Sequence, residues 1–149
     1  MQRLASNQSG TSTVELAIVL PALALLTFMA ADVAMAFKAK IGLQRAAERT
    51  AQMATAAGIN GAAYGTDNLK ADAAAAAGVA TGNVNITKTL LCNGVQSASD
   101  PCPDGQQISR YVAIGITGTY MPMFAKLAPG TRWSAQGIAL SGSASVRMQ

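Results

Sequence analysis

Residues 9–37 read SGTSTVELAIVLPALALLTFMAADVAMAF. The stretch begins in small polar residues, turns apolar at Val14 and stays so to Phe37, interrupted by Glu15, Pro21 and Asp32. As a helix it would cover about 36 Å, enough to cross the hydrocarbon core of a bilayer. Its uncharged part, Leu16 to Ala31, covers only about 24 Å and is a marginal span by itself. Pro21 removes one backbone hydrogen bond two turns inside the segment, which membrane helices tolerate. Glu15 is the residue that needs a reason, because a carboxylate taken into hydrocarbon costs several kcal/mol, to order of magnitude, unless it is neutralised or paired.

The rest of the chain limits what it can do. Its 149 residues suffice for one domain and are too few for two ordinary ones. Half the residues are apolar, 12% are charged, aromatics make up 5% and histidine is absent, so any core must be built mainly from Ala, Val, Ile and Leu. The net charge of +4 comes from scattered Lys and Arg, with one local group at Lys38, Lys40, Arg45 and Arg49. That group has no interleaved aromatics, so there is no stacking platform and no nucleic-acid partner is expected.

Cys92 and Cys102 bracket CNGVQSASDPC. Two thiolates without histidine do not make a zinc site, so a local disulfide in an oxidising compartment is the better reading. A nucleophile with its base, a P-loop and a GxGxxG turn are all missing, and Asp67, Asp72, Asp100 and Asp104 form no acid–base pair. Asp100 and Asp104 in DPCPDG read as turn residues rather than calcium ligands. No enzyme, no metal and no cofactor is therefore expected. The sequons at Asn7 and Asn85 are given no function.

After Phe37, KAKIGLQRAAERTAQMATAAG continues the helical pattern, placing Leu43, Ala46, Ala47, Thr50, Ala54 and Ala57 on one face of small residues. Gly58 and GINGAAYGTDN should end the helix near residue 57. TDNLKADAAAAAG predicts a second helix over 66–77, with Thr66 or Asp67 as N-cap and Gly78 just past its end. Three strands are expected near 83–91, 111–121 and 134–148. Their inward faces are Val84, Ile86 and Leu90, then Val112, Ile114, Ile116 and Tyr120, then Ile138, Leu140, Val146 and Met148, with Lys88 spoiling the first alternation. The fold class is α+β: a long N-terminal helix, a short second one and a small antiparallel sheet covered by a helix.

Three explanations of the N-terminus remain open on these grounds. The first is an uncleaved signal anchor, needing only hydrophobicity. In the second, Ala34-Met35-Ala36 forms an A-x-A cleavage pattern, which would release a soluble secreted binding domain starting at Phe37. Glu15, Asp32 and the single cation Arg3 in the leading region argue against it. The third takes Gly10 and Glu15 together. A glycine followed at the fifth position by glutamate, with the apolar helix starting at once, resembles the prepilin-peptidase signal of type IV pilins.

Within that superfamily VELAIVLPALALL, with Pro21 after the first apolar turns, most resembles the TadE/TadG-like proteins of the tight-adherence, or Flp, pilus system. TYMPMFAKLAPGTRWSAQGIALSGSASVRMQ is more loosely similar to the end of such chains, where a Y-x-P element precedes a closing strand with a late arginine, here Arg147. Flp major pilins are far shorter, so the resemblance implies a minor pilin or pseudopilin. It implies a leader over 1–10 cut on the cytoplasmic side between Gly10 and Thr11, a transmembrane and assembly helix over 11–37, and a periplasmic domain over 38–149. The implied location is the bacterial inner membrane, as a single span, with passage into an extracellular pilus. Implied partners are the prepilin peptidase, other pilin subunits and the assembly platform. Glu15 would pair with the ammonium created on Thr11, in its own subunit or in a neighbour, fixing axial stagger. The cations after the segment would by the positive-inside rule leave the C-terminal part in the cytoplasm, whereas the cysteines and the leader put it outside. The second assignment is adopted here.

Overall fold

The computed structural model describes residues 11–59, 66–99, 102–123 and 136–148. The element order is a long helix α1 (Thr11–Ile59), a second helix α2 (Thr66–Ala77), a 3-10 turn at Thr81–Asn83, and strands β1 (Val84–Cys92), β2 (Val95–Ser97), β3 (Ile108–Tyr120) and β4 (Ile138–Met148). The strands form one antiparallel sheet in the order β2-β1-β3-β4. The architecture is α+β, as expected, with four strands where three were anticipated.

The additional strand lies inside the disulfide loop. Asn93 and Gly94 take φ of 50° and 83°, the two positive values a two-residue hairpin turn demands, and Cys92 then pairs with Val95. Asn93 holds the turn against the start of β3, since its Oδ1 accepts the Gln107 N–H at 2.9 Å and its own N–H donates to the Gln107 carbonyl at 2.9 Å.

α1 runs for 49 residues, about 74 Å of helix, and includes Pro21. It continues through Gly58 to Ile59, slightly beyond the end expected near residue 57. Its two halves differ in what they meet. From Thr13 to Ala31 the side chains stand exposed all round, apart from a half-buried Ala24. From Asp32 onward a stripe at spacings of three and four turns inward: Asp32, Leu43, Ala46, Ala47, Thr50, Ala51 and Ala54 are buried. The expected small-residue face is thus the one that packs, except that Ala57 lies among residues whose side chains are not described.

Small residues suit this face because they let the helix approach the sheet closely. Gly142, at the middle of β4, is the closest approach: a Cβ there would come within 2.5 Å of the Leu43 carbonyl carbon and 2.6 Å of the Gln44 nitrogen. The inward residues Val84, Val112, Ile114 and Ile116 join Leu69, Ala73 and Ala74 of α2 and the α1 stripe in one core. Thr50, the one hydroxyl buried there, donates to the Ala46 carbonyl at 2.8 Å and so carries no unsatisfied polar atom inward. Of the inward residues expected on β4, Leu140, Val146 and Met148 pack against the core together with Ala144, while Ile138 lies outside that cluster.

α2 takes in Thr66 as its first residue and carries Asp67 in its first turn, where a carboxylate complements the helix dipole. It ends in a Schellman motif: Gly78 adopts φ of 66° and the Val79 N–H reaches back to the Ala74 carbonyl at 3.0 Å.

Candidate functional site

Two features stand out along α1: the head of the bare apolar stalk, and the place where the stalk meets the domain. At the head of the described helix, Thr11 is followed one turn later by Glu15, which is exposed. Gly10 and the expected leader lie outside the described residues. Beyond Glu15 come Leu16, Ile18, Val19, Leu20, Leu23, Leu25, Leu26, Phe28 and Met29, all large, apolar and exposed. α1 is the one described helix long and apolar enough to cross a membrane, with a mean hydropathy of 2.2 in its best window.

At the junction the finding is Asp32. Read from sequence it is an interruption of the apolar run; in the structure it is only 9% exposed and works as an acceptor. One oxygen, Oδ1, accepts the Tyr120 hydroxyl at 3.2 Å and the Met123 backbone N–H at 2.9 Å. The segment Tyr120-Met121-Pro122-Met123, which contains the Y-x-P element, is thereby clasped to the helix at the end of β3. A half-buried position and the adjacent Asp32 carboxylate hold the Tyr120 hydroxyl above its ordinary value of 10.0, because both disfavour a second negative charge there. Sequence reasoning missed this pair: the two residues are 88 positions apart, and the available signal was an aspartate that a lipid-facing helix would not otherwise carry.

A second clasp lies higher on the helix. The Gln44 side-chain amide donates to the Ser143 carbonyl at 3.0 Å and its Oε1 accepts the Ser143 N–H at 3.1 Å. It acts as a short strand partner for the outer edge of β4, satisfying two backbone groups an edge strand would leave open.

The other sequence candidates are placed as follows. Cys92 and Cys102 are joined in a disulfide with Cα atoms 5.7 Å apart, linking the end of β1 to the loop before β3. Lys38, Lys40, Arg45 and Arg49 are all exposed on α1, and the spacing sets Lys38, Arg45 and Arg49 along one side. Arg147, on β4, donates to the Ser109 hydroxyl at 3.0 Å. A groove of about 280 Å³ between α1 and α2 is lined by Arg49, Thr50, Met53, Asp72, Ala75 and Ala76, a set without a nucleophile and base. Among the described residues no group of His, Cys, Asp and Glu is arranged to hold a metal ion. Asp100 lies outside the described residues.

The model of a family described as TadE-like protein matches residues 10–52, which bears out the likeness read from Gly10, Glu15 and Pro21. The matched segment covers the bare stalk and the first domain-facing turns of α1, and leaves the sheet and its Y-x-P element outside. No curated protein and no solved structure matches the chain.

Proposed function

We propose that this chain, TadE-like over residues 10–52, is a minor pilin or pseudopilin of a tight-adherence pilus system, a structural component rather than an enzyme. Its leader is removed by the prepilin peptidase between Gly10 and Thr11, α1 spans the bacterial inner membrane once, and residues 38–149 form a periplasmic domain. Other pilin subunits and the assembly platform are its further partners. The observation that carries the reading is the bare stalk: an exposed apolar helix with Glu15 near its head. A helix with this surface requires either lipid or other helices around it. A pilin uses both in turn.

Glu15 then has a definite task. Cleavage after Gly10 would create an ammonium on Thr11, about 6 Å up the helix axis from Glu15. In an assembling filament the charge of one subunit is satisfied by its neighbour at one stagger only, so the pair sets register more than it adds stability.

The alternative of a secreted domain released after Ala36 is disfavoured by the Asp32 clasp. That cut would remove the acceptor of both the Tyr120 hydroxyl and the Met123 N–H. The test is processing in the native host: Gly10→Ala should accumulate as the longer, leader-bearing form, while Ala36→Leu should mature as usual. Normal maturation of the Gly10→Ala chain would overturn the proposal.

A further inference from the structure

We infer that the segment Tyr120–Met123 is a membrane-docking element, seated in the bilayer at the boundary between acyl chains and headgroups on the domain side of the span. The inference rests on reading α1 as a membrane helix, and it begins with a shortfall in length. The uncharged part of the stalk, Leu16 to Ala31, covers about 24 Å against a hydrocarbon core of about 30 Å. Glu15 and the polar residues before it mark one boundary. The remaining 6 Å, approximately four residues, fall at the other end and carry the hydrocarbon edge past Asp32.

A carboxylate at that depth would ordinarily be costly. Asp32 is instead 9% exposed and accepts two hydrogen bonds from the domain, so its polar needs are met by protein where water is scarce. The donors arrive on an apolar carrier. Met121 is 57% exposed and Met123 66% exposed, flanking Pro122, and neither methionine belongs to the core cluster. Val33 and Phe37, about 1.5 and 7.5 Å beyond Asp32 along the helix, are exposed as well. With Met121 and Met123 they make an exposed apolar collar on the domain side of the stalk, next to a satisfied carboxylate. Tyr120 supplies the amphipathic ring favoured at membrane interfaces. Directly above the collar stand Lys38 and Lys40, both exposed, about 9 to 12 Å beyond Asp32 along the helix, where lipid phosphates would meet them.

The consequence is positional: the domain sits with one corner in the membrane, and its angle to the stalk is set by the clasp. The test uses the full chain in vesicles of phosphatidylethanolamine and phosphatidylglycerol, some with acyl chains brominated near the glycerol and some with chains brominated near their ends. Trp133, the sole tryptophan, is replaced by Phe. Single probes are then introduced as Leu23→Trp in mid-stalk, Met123→Trp in the loop and Thr87→Trp on the exposed outer face of β1.

Loss of Leu23→Trp fluorescence to chain-end bromines, together with loss of Met123→Trp fluorescence to glycerol-side bromines and none from Thr87→Trp, supports the inference. If Leu23→Trp is quenched and Met123→Trp is not, the docking element is overturned while the membrane helix stands. If Met123→Trp is shielded only at low lipid-to-protein ratio, the loop packs on a second copy and the inference is overturned. If neither the Leu23→Trp nor the Met123→Trp probe is quenched, the membrane reading fails with it.

Discussion

Gly142→Ala tests the packing of the long helix on the sheet. The added Cβ would stand 2.5 Å from the Leu43 carbonyl carbon, 2.6 Å from the Gln44 nitrogen and 2.6 Å from the Leu43 oxygen. Nonpolar contacts settle near 3.5 Å, and all three atoms belong to helix backbone, so no side chain can swing aside and α1 must retreat from β4 by about 1 Å. That movement would stretch the two Gln44–Ser143 hydrogen bonds, now 3.0 and 3.1 Å, beyond useful length. Overpacking costs about 1–3 kcal/mol, and two partly solvated hydrogen bonds add about 1 kcal/mol, for a loss of about 3 kcal/mol. In a chain of this size that lowers the thermal midpoint by roughly 10 °C. The control is Gly115→Ala, one strand away on the opposite face, where the nearest atom to a new Cβ is the Asn85 carbonyl at 4.0 Å. Its stability should be unchanged or raised by about 0.5 kcal/mol. Thermal unfolding of the full chain in detergent, followed by circular dichroism, compares the two. Equal midpoints for Gly142→Ala and Gly115→Ala would refute the proposed contact between α1 and β4.

Asp32→Ala removes an acceptor shared by two donors and should destabilise the domain by about 2–4 kcal/mol in the same melt, with Tyr120→Phe losing less. Because Tyr120 holds its proton more tightly when folded than when unfolded, its contribution is complete below pH 10 and is lost as pH rises above it; the wild type should therefore lose more stability than Tyr120→Phe on passing into that alkaline range. Reducing the Cys92–Cys102 bond should cost about 2–3 kcal/mol by the chain-entropy argument, and should free the β1–β2 hairpin while leaving the α1–β4 packing in place, a pattern hydrogen exchange can read. Glu15→Gln should be clipped like the wild type yet assemble poorly when co-expressed with wild-type subunits, measured as the fraction recovered in sheared pili.

The parts of the fold legible in the sequence are those governed by local periodicity. The inward stripe from Leu43 to Ala54, the second helix over 66–77 with its terminal Gly78, and the inward alternation of the long strands all follow from side-chain spacing and backbone preference. Even the additional strand has a local signal, since Asn93-Gly94 is the strongest short hairpin sequence. Features that join distant segments were not legible. Nothing near Asp32 announces that its partners lie beyond position 119, and nothing near Gly142 announces a helix backbone 2.5 Å from where its Cβ would be. For the same reason Lys88 looked like a defect in an alternating strand. It pairs across from Val112, with Arg110 two residues along on the same face, and is itself exposed.

The head of the stalk carries the residues on which the proposal turns, Gly10, Thr11 and Glu15, and the central claim concerns what happens between the first two. The intact mass of the protein purified from the membranes of its native host measures this directly. A chain beginning at Thr11, with the apolar stalk retained and Cys92 and Cys102 oxidised, is the expected result. A chain beginning at Phe37, or one still carrying Met1 in cells whose other prepilins are processed, would contradict it.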